Sequence, residues 1–431
     1  MKTNHSPETT YTYLHNKNFL IFSALIFLYF SIMATCFPFL PIWLSDVVGI
    51  NKGDTGLVFS CIALFAIILQ PIMGMISDKL GLKKHLLWII IIPLPFFAPF
   101  FLYVFGPLLK FNVILGAIVG GLYIGFVFSA GAGAIEAYVE RVSRQSFFEY
   151  GKARMFGCIG WGLCAASAGI LFNVKPELVF WMGSIAACII VVLMLMAKPG
   201  VNPTAKVIDS LGVNSSQFSL RMVVQLFKLR SFWMFVLYVI GVACIYDVYD
   251  QQFANYFKTF FSTPEKGNEV FGFATTAGEA ANAIIMFCAP WIINRIGAKK
   301  TLLIAGSIMS IRIVGSALAS NVYEVVMLKM LHALEVPFLL VGAFKYINVT
   351  FDTRLSATIY LIGFQFSKQL GSIFLSTIAG DLYDKIGFED TYFMLGGIAC
   401  TVTLISAVTL TGHKKAKLAK NLNLSLNEQK L

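Results

Sequence analysis

Lys329, His332 and Glu335 stand three residues apart in an apolar run from Val325 to Ala343. At about 100° per residue they fall within a ~120° arc, so a helix over this run has one polar face. A carboxyl and an imidazole beside an amine can bind and release a proton. Glu335 is the candidate for that chemistry, because Leu334, Val336, Pro337 and Phe338 give it an apolar setting. The run is long enough to cross a bilayer, which takes about 20 apolar residues. Each ionisable group at the bilayer centre costs about 2.5–3.5 kcal/mol, so three of them require polar partners or water. The alternative reading is a static Lys329–Glu335 pair that only fixes helix packing.

Other apolar runs hold the possible partners. The seventh carries Asp247 and Asp250 on one face, and two acids there require bases; Lys329 and Lys368 lie in the tenth and eleventh. The eighth carries Glu279 and Asn282, the ninth Arg312, and the fourth ends with Glu136. Arg154, Cys158 and Trp161 step by four and three, so they share a face of the fifth. An Arg fork donates paired hydrogen bonds to hydroxyls or a carboxylate, and an aromatic ring beside it can stack on a sugar. The competing reading makes Arg154 an interfacial base and Trp161 a belt residue. The acids Glu136, Asp247, Asp250, Glu279 and Glu335 outnumber the bases Arg154, Arg312, Lys329 and Lys368 by one. With His332 neutral, one acid lacks a dedicated base and is expected to hold a proton. Glu335 is assigned that place.

The elements that must position these residues are membrane helices. The chain has 431 residues, 58% hydrophobic and 13% charged, which no soluble domain resembles. Twelve helices are expected, roughly 19–43, 55–77, 86–107, 112–139, 153–173, 177–197, 231–257, 268–293, 302–320, 322–346, 356–379 and 390–411. The resulting organisation is a cytoplasmic N-terminus (1–18), a six-helix bundle (19–198), a cytoplasmic central loop (199–228), a second six-helix bundle (229–411) and a cytoplasmic tail (412–431). Asp78-Lys79-Leu80-Gly81-Leu82-Lys83-Lys84 after the second helix recurs as Asn294-Arg295-Ile296-Gly297-Ala298-Lys299-Lys300 after the eighth, half a chain later. Internal duplication is usual in secondary transporters, whose sites lie near the midplane where the repeats meet. Of 33 Lys and Arg, six (Lys52, Lys110, Lys175, Lys258, Lys266, Lys385) fall in the loops opposite the termini. Arg312, Lys329 and Lys368 lie mid-helix, and the other 24 put both termini in the cytoplasm by the positive-inside rule. The net charge of +11 is therefore an orientation signal, with a basic tail suited to lipid headgroups, and not a nucleic-acid footprint. The eight cysteines show no metal spacing. There is no phosphate-binding loop, no nucleophile elbow and no zinc-protease motif, so ATP hydrolysis and proteolysis are unsupported. No cofactor is expected apart from a proton as coupling ion.

At this point the chain resembles a family. Phe37-Pro38-Phe39-Leu40-Pro41-Ile42-Trp43, Ser77-Asp78-Lys79-Leu80-Gly81, Glu149-Tyr150-Gly151-Lys152-Ala153-Arg154-Met155-Phe156-Gly157-Cys158, Tyr246-Asp247-Val248-Tyr249-Asp250-Gln251-Gln252-Phe253 and the stretch around Glu335 resemble the lactose permease group of sugar–proton symporters in the major facilitator superfamily. The likeness runs from about Asn18 to Thr411 and is nearest the raffinose- and melibiose-type galactoside permeases. It implies an all-α fold of twelve transmembrane helices in two pseudo-symmetric bundles, and a functional monomer in a bacterial inner membrane. It implies that Glu136 and Arg154 bind galactosyl hydroxyls, Trp161 stacks on the ring and Cys158 lines the pocket. Glu279, Asn282 and His332 would contact sugar from the other half. Glu335 would carry the proton with Arg312 assisting its release, and Asp247–Lys368 and Asp250–Lys329 would be charge pairs. Ser129 departs from lactose permease, which has Asn there; the shorter side chain leaves room for a bulkier substrate. The expected activity is galactoside import with a proton, not catalysis. A carrier of another polyol or of nucleosides, and a transporter-like sugar sensor, are the alternatives.

Overall fold

The computed structural model describes residues 16–80, 83–146, 148, 150–197, 226–351 and 359–412, with no strand among them. Gly81, Leu82, Glu149 and most of the two termini and central loop lie outside the described residues. Twelve helical spans follow in order: α1 Lys17–Val48, α2 Lys52–Leu80, α3 His85–Phe111, α4 Val113–Ser143, α5 Tyr150–Val174, α6 Pro176–Met196, α7 Arg230–Lys258, α8 Pro264–Ile296, α9 Ala298–Leu318, α10 Val322–Thr350, α11 Ser367–Lys385 and α12 Gly387–Thr409. All except α11 are long and apolar enough to span a membrane. Lys368, Asp381, Asp384 and Lys385 make α11 the polar member, and the π-helical turn Tyr360–Phe366 leads into it.

Side-chain caps set several helix starts. Asn16 accepts from Asn18 N and Phe19 N, Asn112 from Leu115 N, and Asn321 from Glu324 N, satisfying amides the helix cannot. Pro176 occupies the first turn of α6, where a missing amide costs nothing. The repeated basic motif has a physical role in each copy. Lys84 Nζ donates to the carbonyls of Met194 (3.0 Å) and Ala197 at the C-terminal end of α6. Lys299 Nζ donates to Leu410 O (2.7 Å) at the end of α12. Each half thus uses a motif lysine to cap the negative end of its last helix. Gly297, at φ +88°, makes the turn between α8 and α9 that a side chain would strain.

Two compact units result. The first comprises Met1–Ile50, Leu64–Asn214 and Thr263–Glu279; the second comprises Asn51–Ala63, Ser215–Ser262 and Ala280–Leu431. Two half-helices therefore change sides relative to a cut in the central loop. In the first unit the start of α8 lies on α5: Asn173 Nδ2 donates to Glu265 O (2.7 Å) and Thr276 Oγ1 to Gly162 O (2.5 Å). In the second unit the start of α2 lies on α11. Gly53 N donates to Asp384 Oδ2 (2.8 Å), Lys52 Nζ is 3.7 Å from Asp384 Oδ1, and the Ser60 and Thr377 hydroxyls are 2.8 Å apart. Gly56 sits against the Ser376 carbonyl so closely that a Cβ would collide with it. The first unit's core centres on Trp43, Phe97, Phe101, Phe105 and Phe180, with Phe101 and Phe180 stacked at 4.6 Å. The second has a tyrosine-rich counterpart in Tyr249, Tyr256, Tyr383 and Tyr392.

Candidate functional site

The second unit holds Glu335 and Arg312. α10 is not continuous: Val322–Met330 and His332–Thr350 join at Leu331, inside the stretch that carries Lys329, His332 and Glu335. Pro337 lacks an amide, so the Ala333 carbonyl loses its helical donor, which favours a bend here. The side chain of Glu335 is 0% exposed, as is that of Arg312 on α9. Arg312 Nη1 donates to Glu335 Oε2 (2.9 Å) and to the Tyr246 hydroxyl (2.6 Å), while Nη2 donates to Asp250 Oδ1 (2.9 Å). The Tyr246 hydroxyl also lies 2.5 Å from His332 Nδ1. Lys329 Nζ is 3.9 Å from Asp250, and Lys368 Nζ is 2.9 Å from Asp247.

The charge count placed a carboxyl without a base at Glu335, and the geometry differs. Arg312 is shared between Glu335 and Asp250, so Asp250 has two cations within 4 Å and Glu335 has one. A guanidinium has enough N–H groups to serve both acids, which a residue tally cannot reveal. What distinguishes Glu335 is its other oxygen. Oε1 is buried and has no hydrogen-bond partner among the described residues. Glu335 is thus paired through one of its two oxygens. Lys329 lies 3.9 Å from Asp250. Asn282 of α8 is also in this unit and is buried.

The first unit gathers the other polar group. Arg154 Nε donates to Glu136 Oε1 (2.5 Å), and its Nη1 lies 3.7 Å from Cys158 Sγ. The guanidinium sits 4.0 Å over the Phe30 ring. Arg154 is thus held by a carboxylate and an aromatic face, not left as a free interfacial base. Trp161, two turns on from Arg154, is partly exposed. Glu279 ends the α8 segment lying on α5, where its Cβ is 3.8 Å from the place a Cβ on Gly162 would occupy. Ser129 lies in the π-helical turn Gly125–Ala130 of α4, and its carbonyl accepts from Gln70 Nε2 (3.2 Å). The remaining guanidinium N–H groups suit adjacent hydroxyls.

Sequence reasoning left Tyr246 and Phe30 without roles. Tyr246 could have been found, since it is four residues before Asp250 and shares its face. Phe30 gives no signal among so many apolar residues. The π-helical turns were also unforeseen. Val239–Cys244 precedes Tyr246 and Asp247, Tyr360–Phe366 precedes Lys368, and Gly125–Ala130 precedes Glu136. Each widens the helix by one residue and rotates the face that follows, a feature frequent at functional sites.

Among solved structures, a nucleoside transporter superimposes with a TM-score of 0.76 at 13% identity, covering 91% of this chain and 99% of that one. A D-xylose–proton symporter gives 0.65 at 14% identity, covering 94% and 99%. These show the major facilitator fold. Sequence relatives are nearer. Raffinose permease of Escherichia coli is 69% identical over 92% of this chain and 93% of its own length. Melibiose permease of Enterobacter cloacae is 67% identical over 94% and 96%, and lactose permease of Klebsiella oxytoca 57% over 92% and 95%. The sequence model described as LacY proton/sugar symporter matches residues 11–423. This integral membrane chain, a carrier and not an enzyme, therefore belongs to the LacY proton/sugar symporter family.

Proposed function

We propose that the chain imports a galactoside of the raffinose or melibiose type, coupled to a proton carried by Glu335. The observation that carries this reading is the half-satisfied, fully buried Glu335 carboxyl: one oxygen on Arg312, the other unpartnered. Proton uptake discharges Glu335, and Arg312 keeps Asp250 at 2.9 Å as its counter-ion. Proton release restores the Arg312–Glu335 pair, so Arg312 assists release. His332 reports on this group through Tyr246, which contacts both His332 and Arg312. Glu136 and Arg154 receive the galactosyl hydroxyls, Trp161 stacks on the ring and Cys158 borders it. Glu279, Asn282 and His332 supply further sugar contacts. Ser129, shorter than Asn, admits a larger substrate. Asp247–Lys368 and Asp250–Lys329 hold the helices in register. Sugar and proton shift the carrier only by their differential affinity for its two states. The carrier works as a monomer in a bacterial inner membrane with both termini in the cytoplasm and its basic tail near anionic lipid.

The test adds melibiose, raffinose, lactose and sucrose in turn to de-energised, lightly buffered cells expressing the chain and follows external pH. Alkalinisation with melibiose or raffinose is expected. Entry of labelled sugar without a pH change would remove the proton role from Glu335; alkalinisation with sucrose alone would remove the galactoside assignment.

A further inference from the structure

Ile284, Phe287, Trp291 and Arg295 follow one another along α8 at steps of three, four and four residues, which places them on one helix face. All four are exposed, Phe287 at 89% and Trp291 at 59%. The apolar run of α8 ends at Ile293, just before Asn294 and Arg295. The stripe thus passes from hydrocarbon-seeking side chains to an amphipathic ring of the kind found at membrane–water boundaries, and then to a cation. The Arg295 guanidinium is stacked 3.8 Å over the Trp291 ring, which fixes its position. Lys345 of α10 reaches the same rim, its Nζ donating to Asn294 Oδ1 at 2.9 Å. Lys300, in the first turn of α9, is exposed as well. Among the described residues, none of Arg295, Lys300 and Lys345 is paired with a carboxylate.

We propose that Trp291, Arg295 and Lys345 form a binding site for the phosphate headgroup of an anionic phospholipid, with an acyl chain along Phe287 and Ile284. Two ordered cations without a local carboxylate complement a net negative headgroup; a zwitterionic one brings its own ammonium and gains less. The apolar stripe that continues from the cations argues for a lipid and against free phosphate, which has no chain to place there. Arg is suited to the phosphate because its planar fork meets two oxygens while its face stays on the indole. The inference is independent of which sugar the chain carries.

The test is native mass spectrometry of the full chain in detergent, titrated with phosphatidylglycerol and, separately, phosphatidylcholine of the same acyl composition. The wild type is expected to take its first phosphatidylglycerol with a clear preference. R295Q/K345Q is expected to lose that preference by about tenfold or more, as two bases near a headgroup require. R295K, which keeps the charge but not the planar stack, falls between. Each variant is read as the ratio of its two lipid affinities, so a general loss of fold lowers both and leaves the ratio interpretable. Equal wild-type affinities, an undiminished preference in R295Q/K345Q, or displacement of the lipid by millimolar inorganic phosphate would each overturn the proposal.

Discussion

Arg312→Gln and Glu335→Gln remove opposite ends of one buried contact, yet they should differ sharply in stability. In Glu335→Gln, Arg312 keeps Asp250 at 2.9 Å and Tyr246 at 2.6 Å, so the loss is that of one hydrogen bond, about 1 kcal/mol. In Arg312→Gln, Glu335 loses its Arg312 partner while its side chain remains 0% exposed. Breaking a buried pair in that way costs about 3–5 kcal/mol. Asp250 is less affected, since Lys329 remains at 3.9 Å. For units of this size about 2–4 °C accompany each kcal/mol, so Arg312→Gln should melt on the order of 10 °C below Glu335→Gln. The double variant should recover most of the Arg312→Gln loss, because no uncompensated charge is left. The assay is thermal unfolding of the three purified variants in one detergent. Equal melting of the single variants, or a double variant as unstable as the sum of the singles, would mean that Arg312 does not compensate the Glu335 charge.

The Asp247–Lys368 pair should behave alike but more weakly. Its side chains are 38% and 22% exposed, so Asp247→Asn or Lys368→Gln should each cost about 1–2 kcal/mol after discounting for solvent, and the double variant less than either. The same melting assay decides it, and additive losses would mean the two charges are not coupled. Asp384 accepts from Gly53 N in the first turn of α2 and lies beside Lys52. Asp384→Ala removes a helix cap worth about 1 kcal/mol, so α2 and α11 should part roughly fivefold more often. Alkylation of a thiol introduced as Ser60→Cys, buried behind that contact, should rise by the same factor; an unchanged rate would reduce Asp384 to a surface residue.

Much of this architecture is legible in the chain because membrane helices announce themselves. Long apolar runs, the recurrence of Gly81 and Gly297 in matching basic turns, and charges in the wrong solvent locate the helices and most of the polar side chains. Helix spacing alone put Asp247 beside Asp250, and Arg154 in line with Cys158 and Trp161. What could not be read depends on three dimensions. A one-residue widening such as Val239–Cys244, just before Asp247, has no compositional signature. Arg312 looks like one base for one acid until its two Nη atoms are seen on Glu335 and Asp250. The assignment of residues 51–63 to the second unit and 263–279 to the first arises from backbone contacts at Gly56 and Gly169 that no hydrophobic pattern records.

The most direct test of the central claim compares Glu335→Gln with the wild type in energised cells and in sugar-loaded vesicles. The variant is expected to exchange labelled sugar across the membrane at a rate near wild type and to fail to concentrate it. Uphill accumulation by Glu335→Gln at the wild-type level would contradict a proton carried on Glu335.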